Sequence, residues 1–124
     1  MTATILVAND DIGGLTLYQI VLRRAGYQTL KAKDGLEAFE IAKAQLPDLI
    51  VSDTIMPKAD GRALLQLLRK EPTTHHIPFI LMTISGSRTL ETDEWIEDLR
   101  LFALTDLPDL GKHVQKLLAE KGIV

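Results

Sequence analysis

Residues 48–61, "DLIVSDTIMPKADG", contain the transition that decides the fold. Leu49, Ile50 and Val51 form a short apolar run that is typical of a buried strand. Ser52 and Asp53 end this run, and a loop punctuated by proline and glycine follows. A buried strand therefore carries a carboxylate at its carboxyl end, and the residues elsewhere in the chain indicate what that carboxylate does.

Short strand-like runs recur along the chain at regular intervals. They are predicted at residues 4–8, 28–32, 49–53, 79–83 and 101–105, and the second alternates as an edge strand would. Helical periodicity fills the intervals, and Gly26 marks the end of the first helix. Thr92, followed by two acids, predicts a short or distorted fourth helix. The positions predicted to face the core are Leu17, Tyr18, Val21, Leu22 and Ala25 in the first helix, Ala38, Ile41 and Ala42 in the second, Leu64, Leu65 and Leu68 in the third, and Leu110, Val114, Leu117 and Leu118 in the last.

Strict alternation of strands and helices predicts an α/β fold of the doubly wound class, in one domain spanning residues 1–124. Parallel strands joined by right-handed crossovers place helices on both faces of the sheet. Ligands of such sheets lie beyond the carboxyl ends of the strands. Asp53 comes at one of these ends, where the fold places its chemistry.

Composition narrows the class of function. The chain has 124 residues, 46% of them hydrophobic, and no cysteine, so disulfides, thiolate nucleophiles and zinc–thiolate sites are excluded. The net charge of −3 comes without a basic stripe, so we expect no binding of nucleic acid by this chain alone. No secretory signal and no apolar run long enough to cross a bilayer is found, so we expect a cytoplasmic protein with no membrane partner.

Three predicted strands end in polar residues at the same edge. Asn9, Asp10 and Asp11 follow the first, Asp53 ends the third and Thr83 ends the fourth. Carboxylates that converge repel one another unless a cation lies among them, and hard oxygen ligands without His or Cys suit Mg²⁺. A divalent ion beside a carboxylate nucleophile and a hydroxyl is a plausible site for phosphoryl transfer. The alternative is that these acids only cap helices and loops.

A combination of motifs runs along the chain: "ILVANDD" (5–11), "PDLIVSDTIMPKADG" (47–61), "IPFILMT" (77–83) and the closing helix. Its specific part is the run Asp-x-x-Met-Pro-x-x-Asp-Gly at 53–61. With these motifs the chain resembles the receiver domain of response regulators in two-component signalling. The resemblance implies a flavodoxin-like sheet of five parallel strands in the order 2-1-3-4-5.

The resemblance also implies a role for five positions. Asp53 matches the aspartate that accepts a phosphoryl group from a histidine kinase. Asp10 matches an acid that binds Mg²⁺ directly, together with Asp53 and the backbone carbonyl of Ile55. Thr83 matches the hydroxyl that binds the phosphoryl oxygen, and Phe102 matches the aromatic switch residue that follows its movement.

Several positions depart from the family pattern. Asn9 replaces the first of two adjacent acids, so we expect it to reach the metal only through the outer shell and Mg²⁺ binding to be weaker. Thr105 stands where the family has a lysine, and it cannot supply an ammonium group. Lys58 or Arg88 could replace that lysine, although ordinary surface charge explains both. Ile84 follows Thr83 where the family has a small residue, and could narrow the phosphoryl site.

The expected function is therefore that of a phosphoprotein in a phosphorelay. Asp53 would accept a phosphoryl group from a histidine kinase or phosphotransfer protein, and a downstream protein would bind the face formed by the fourth helix, fifth strand and fifth helix. The unusual run 94–102 lies on that face. The chain would assist its own phosphorylation without being a turnover enzyme. A haloacid-dehalogenase phosphatase is disfavoured, because Ile55 stands where its general acid is required. The main alternative is a pseudo-receiver, an interaction module that ignores phosphorylation.

Overall fold

A computed structural model describes residues 2–83 and 99–122 of the chain. It contains the five predicted strands, and the bounds of four of them agree with the prediction. The strands are β1 (Thr4–Ala8), β2 (Gln28–Ala32), β3 (Leu49–Asp53), β4 (Phe79–Thr83) and β5 (Leu99–Ala103).

All neighbouring strands are parallel, and their order is β2-β1-β3-β4-β5. The predicted order is confirmed, and β2 lies at an edge as its alternating pattern indicated. The central strands β1 and β3 are almost fully buried because helices cover both faces of the sheet. This topology brings the carboxyl ends of β1, β3 and β4 to one rim.

Four helices follow the strands within the described residues. They are α1 (Ile12–Arg24), α2 (Gly35–Gln45), α3 (Gly61–Lys70) and α4 (Leu110–Glu120). The first three begin at an aspartate whose carboxylate accepts a backbone N–H of the first turn, which satisfies donors that the helix itself cannot. The fourth helix expected from Thr92 lies outside the described residues.

The core is divided by the sheet into two clusters. One lies under α1 and α4, and the other lies under α2 and α3. The leucines predicted for α3 and the apolar positions predicted for α4 are buried. In α1 the prediction was wrong at two positions, because Leu17 is 47% exposed and Ala25 is also exposed. Leu15 takes the inward place instead, so the buried stripe runs through Leu15, Tyr18 and Leu22.

The fifth strand begins and ends two residues earlier than predicted. Its five residues pair with the five of β4, from Phe79 with Leu99 to Thr83 with Ala103. Residues Leu104–Asp109 then form a 3₁₀ helix, whose bonds span only three residues and therefore end the strand. Thr105 consequently lies in this helix and not at the strand end. No helix among the described residues is long and apolar enough to cross a membrane.

Candidate functional site

The candidate site lies where β1 and β3 end beside each other. Ala8, the last residue of β1, pairs with Ser52, and Asp53 is the next residue of β3. The turn that carries Asn9 and Asp10 therefore begins next to Asp53. The parallel register, and not proximity in the chain, brings these groups together.

The carboxylates of this rim influence one another. Burial raises the pKa of Asp53 above its ordinary value, and the negative charges of Asp10 and Asp11 raise it further. A hydrogen bond from the backbone of Thr54 acts in the opposite direction. Because the repulsion requires nearby charges, the acids from the ends of β1 and β3 converge as the sequence indicated.

Asp11 has a structural role at this rim. Its Oδ2 accepts the backbone N–H of Gly14 at 2.8 Å, so it is the N-cap of α1. The capping interpretation is therefore correct for Asp11. Asp10 is exposed, and its carboxylate has no hydrogen-bond or ion-pair partner among residues 2–83 and 99–122. Asp10 is thus the acid of this turn that is available to a ligand.

Asn9 is turned inward. Only 4% of its surface is exposed, and its Oδ1 accepts the backbone N–H of Asp11 at 3.0 Å. Its Nδ2 lies so close to α1 that a Cβ on Gly14 would be 2.6 Å from it. Gly14 therefore allows Asn9 to pack under the turn, a contact that the sequence pattern did not reveal.

Tyr18 lies beneath the acidic rim, and sequence reasoning treated it only as a core residue. It is 2% exposed. Burial raises its pKa to about 12, and the charges of Asp53 and Asp11 contribute to the increase. The sequence did indicate this position, because Tyr18 follows Asp11 by seven residues and therefore lies on the same face of α1. The Tyr18 hydroxyl therefore stays protonated close to the site.

The loop between β3 and α3 forms the other wall. The Thr54 hydroxyl donates to the carbonyl of Met82, and the Thr54 carbonyl accepts the N–H of Gly61 at 2.9 Å. Gly61 lies against Asp53, since a Cβ there would be 2.5 Å from the Asp53 carbonyl oxygen. Ile55 points into solvent and is 73% exposed.

The other predicted positions are placed by the backbone. Thr83 ends β4 at the same rim, and Phe102 pairs with Met82 in β5. The roles predicted for the Thr83 and Phe102 side chains stay predictions. Ile84 and Arg88, like the segment 84–98 as a whole, lie outside the described residues.

Lys58, one candidate to replace the family's lysine, is directed elsewhere. Its Nζ lies 3.9 Å from Oδ2 of Asp34, at the start of α2. Its backbone is in the left-handed region, with φ of 69°. No described lysine or arginine is among the groups that lower the pKa of Asp53.

The donors at this rim fit a small hard cation. Asp10 and Asp53 carry carboxylate oxygens, and the resemblance implies that the backbone carbonyl of Ile55 would join them, a set that would suit Mg²⁺ with retained waters. Burial raises the pKa of Asp53, the charges of Asp10 and Asp11 raise it further, and a cation would relieve that repulsion. In the described part of the chain no three His, Cys, Asp or Glu side chains form a metal cluster.

Comparisons with known proteins agree with this geometry. A family model of the response regulator receiver domain matches residues 5–95. Response regulator PleD of Caulobacter vibrioides is 38% identical over 88 residues, which are 71% of this chain but 19% of PleD.

Two solved structures have the same fold. A putative response regulator from Chloroflexus aurantiacus superposes with a TM-score of 0.87 at 27% identity, over 96% of this chain and 99% of that one. The receiver domain of sensor histidine kinase PA1611 from Pseudomonas aeruginosa superposes with a TM-score of 0.84 at 21% identity, over 96% and 99% of the two chains, and holds a magnesium ion in its active site cleft. This chain belongs to the response regulator receiver domain family.

Proposed function

We propose that this receiver domain accepts a phosphoryl group on Asp53 from a phosphohistidine of a histidine kinase or phosphotransfer protein, with Mg²⁺ bound at the acidic rim. The observation that carries the proposal is the position of Asp53, half-buried at the end of β3 and within electrostatic reach of Asp10. Receiver domains relay signals with histidine kinases and typically hold Mg²⁺ in this cleft. We further propose that the chain is a phosphoacceptor that assists this single transfer, and not a turnover enzyme.

In the transfer, an Oδ of Asp53 attacks the phosphorus of the phosphohistidine. A P–O bond forms and the P–N bond breaks, and its electron pair returns to the imidazole nitrogen, which takes up a proton. The product is an acyl phosphate on Asp53. Burial and the neighbouring acids raise the pKa of Asp53, which disfavours the ionised carboxylate that acts as the nucleophile. Nearby positive charge stabilises that ionised form. Bound Mg²⁺ would supply that charge to the carboxylates and to the phosphoryl oxygens.

Different residues of this chain bind the cation and the phosphoryl group. Asp10, Asp53 and the Ile55 carbonyl would hold the cation, and Asn9 supports the turn that carries Asp10. The Thr83 hydroxyl binds a phosphoryl oxygen, and the rotamer of Phe102 changes when that hydroxyl moves. Thr105 leaves the lysine role unfilled, so we expect the transfer and its readout to be weaker than in receivers that carry the lysine.

Exposed apolar side chains beside the acidic rim support a protein as the phosphoryl donor. Ile12, directly after Asp11, is 80% exposed, and Ile55 is 73% exposed. Large apolar groups at a surface are suited to burial against another protein. We propose that the phosphorylated form then binds a downstream protein through the helix predicted to begin near Thr92, together with β5 and α4. We place this relay in the cytoplasm and expect no nucleic-acid binding by the chain alone.

Incubation with acetyl phosphate and MgCl₂ tests the proposal. Intact-mass spectrometry should show the gain of one phosphoryl group, which Asp53→Asn and removal of Mg²⁺ should both abolish. A gain that survives Asp53→Asn, or the absence of any gain in the wild type, would reject phosphorylation of Asp53.

A pseudo-receiver is the second candidate, and the burial of Asn9 favours it. The Asn9 amide is neutral and therefore adds no negative charge to the rim, and its Oδ1 is already occupied by the N–H of Asp11. If Asp53 is phosphorylated but the affinity of an isolated partner stays the same, the interaction module is the better description. A large change in that affinity on phosphorylation would eliminate it.

A further inference from the structure

The Ile55 carbonyl belongs to a residue whose side chain does not hold it in place. The Ile55 side chain is 73% exposed, so packing of that side chain contributes little to the position of its backbone. The direction of the carbonyl is therefore decided by the loop residues on either side. The contacts of those residues determine the geometry of the cation site.

The first half of this loop is anchored in the sheet and in the core. Thr54 is tied to the backbone of Met82 through its hydroxyl and to Gly61 through its carbonyl. Met56 is 6% exposed and packs in the cluster that includes residues of α2 and α3. Thr54 and Met56 thus anchor the first half of the loop, and the path of the chain beyond them depends on the second half.

The second half of the loop rests on the first turn of α2. The backbone of Ala59 lies against Gly35, where a Cβ would be 2.0 Å from the Ala59 carbonyl oxygen and 2.6 Å from the Ala59 Cβ. No side chain fits into this contact, because real Cβ atoms do not approach within 3.0 Å of another heavy atom. Only glycine allows the loop to follow its present path.

The turn that carries Gly35 is itself well fixed. Asp34 is the N-cap of α2 and accepts the N–H of Glu37 at 2.7 Å, while Glu37 accepts the N–H of Lys33 at 2.8 Å. Asp34 also attracts Lys58, the residue of the loop next to Ala59. The loop is more easily displaced than this doubly capped turn, so a side chain at position 35 would push the loop.

We propose that Gly35 is a positioning residue for the cation site: it supports the loop between β3 and α3 at Ala59 and thereby aims the Ile55 carbonyl. This inference rests on the proposed function, because it assumes that Mg²⁺ binds at Asp10, Asp53 and Ile55. Gly35 touches neither the cation nor the phosphoryl group. Its effect passes through backbone contacts alone.

The test is Gly35→Ala, with Mg²⁺ affinity measured by titrating MgCl₂ into the purified chain in a calorimeter. Displacing groups that orient metal ligands costs about tenfold or more in affinity, and we expect a loss of about tenfold for Gly35→Ala. Urea unfolding of the same sample establishes that the variant is folded. The affinity measurement needs no phosphoryl donor, so it reports on the site and not on the transfer.

Gly111→Ala is the matched control. Gly111 also lies in the first turn of a helix, and a Cβ there would be 2.7 Å from the Cβ of Ala25, on the opposite side of the sheet. Both variants should lose stability, because both create a clash. Independent sites do not couple, so Gly111→Ala should bind Mg²⁺ within about twofold of the wild type.

Equal Mg²⁺ affinity in folded Gly35→Ala and wild type would overturn the inference while leaving the proposed function intact. An equal loss in both variants would also overturn it, since general destabilisation would then explain the effect. Should Gly35→Ala fail to fold, Ala59→Gly replaces it. The freer backbone of glycine should weaken binding by about two- to fivefold, and an unchanged affinity would refute the proposal. Absence of Mg²⁺ binding by the wild type would reject the metal site itself.

Discussion

Restoring an acid at position 9 is the sharpest test of the cation site. Asn9→Asp changes an amide to a carboxylate of the same shape. The new carboxylate still has an oxygen that can accept the Asp11 N–H, so the turn is preserved. The substitution therefore adds one negative charge at the rim with little change in packing.

The size of the effect follows from two opposing Coulomb terms. At about 6 Å and an effective dielectric of about 20, one charge attracts a divalent ion by about 5 kcal/mol before solvation is counted. Without the ion, the same charge is repelled by Asp10, Asp11 and Asp53; burial, and then the charges of Asp10 and Asp11, already raise the pKa of Asp53. Solvation and protonation reduce the gain, and we expect Mg²⁺ to bind about tenfold more tightly, or about 1.4 kcal/mol.

Calorimetric titration with MgCl₂ measures the affinity, and urea unfolding with and without Mg²⁺ measures the stability. The variant should be less stable than the wild type without the ion and should gain more stability from it, because the ion binds the folded state. Gln115→Glu adds a charge on the exposed face of α4 and controls for net charge. An unchanged Mg²⁺ affinity in folded Asn9→Asp would show that position 9 does not face the cation.

Three further predictions concern Asp53, Tyr18 and Ile55. The pKa of Asp53 is raised in the folded chain, so its carboxyl contributes to the free energy of unfolding at low pH and this contribution is lost as pH rises through that pKa. Without Mg²⁺, Asp53→Asn should therefore be more stable than the wild type in urea unfolding at pH 7, and the difference should shrink at pH 4. Burial raises the pKa of Tyr18 to about 12 from 10.0, so between pH 8 and pH 11 the free energy of unfolding should fall by about 1.4 kcal/mol more in the wild type than in Tyr18→Phe. Equal falls in the two proteins would contradict the raised pKa. An apolar Ile55 should not orient an attacking water, so the acyl phosphate should decay faster in Ile55→Asn, as followed by intact mass; slower decay would argue against this role.

Local patterns in the sequence were enough to predict four strand bounds, the class of fold and the rim that carries the candidate site. They succeed because a buried strand needs an apolar run and a helix start needs a capping group, both within a few residues. The local pattern placed Asp53 at this rim, and the resemblance to receiver domains identified it as the candidate nucleophile. The acid stands directly where such a run ends.

Where local signals compete, the sequence prediction failed. The run 101–105 is as apolar as the residues before it, so only pairing with β4 shows that β5 is Leu99–Ala103. In α1, Leu15 and Leu17 are equally apolar, and the packing of the helix against the sheet decides which of them is buried.

The sequence by itself determined which residue types stand at the ends of the strands, because strands and turns are encoded by neighbours in the chain. Only the tertiary structure decided how those ends meet. Asn9 turns under the rim, Lys58 reaches Asp34, and Gly35 supports Ala59 because distant segments are packed together by burial of the two cores. Such contacts join residues far apart in the chain, and no local pattern records them.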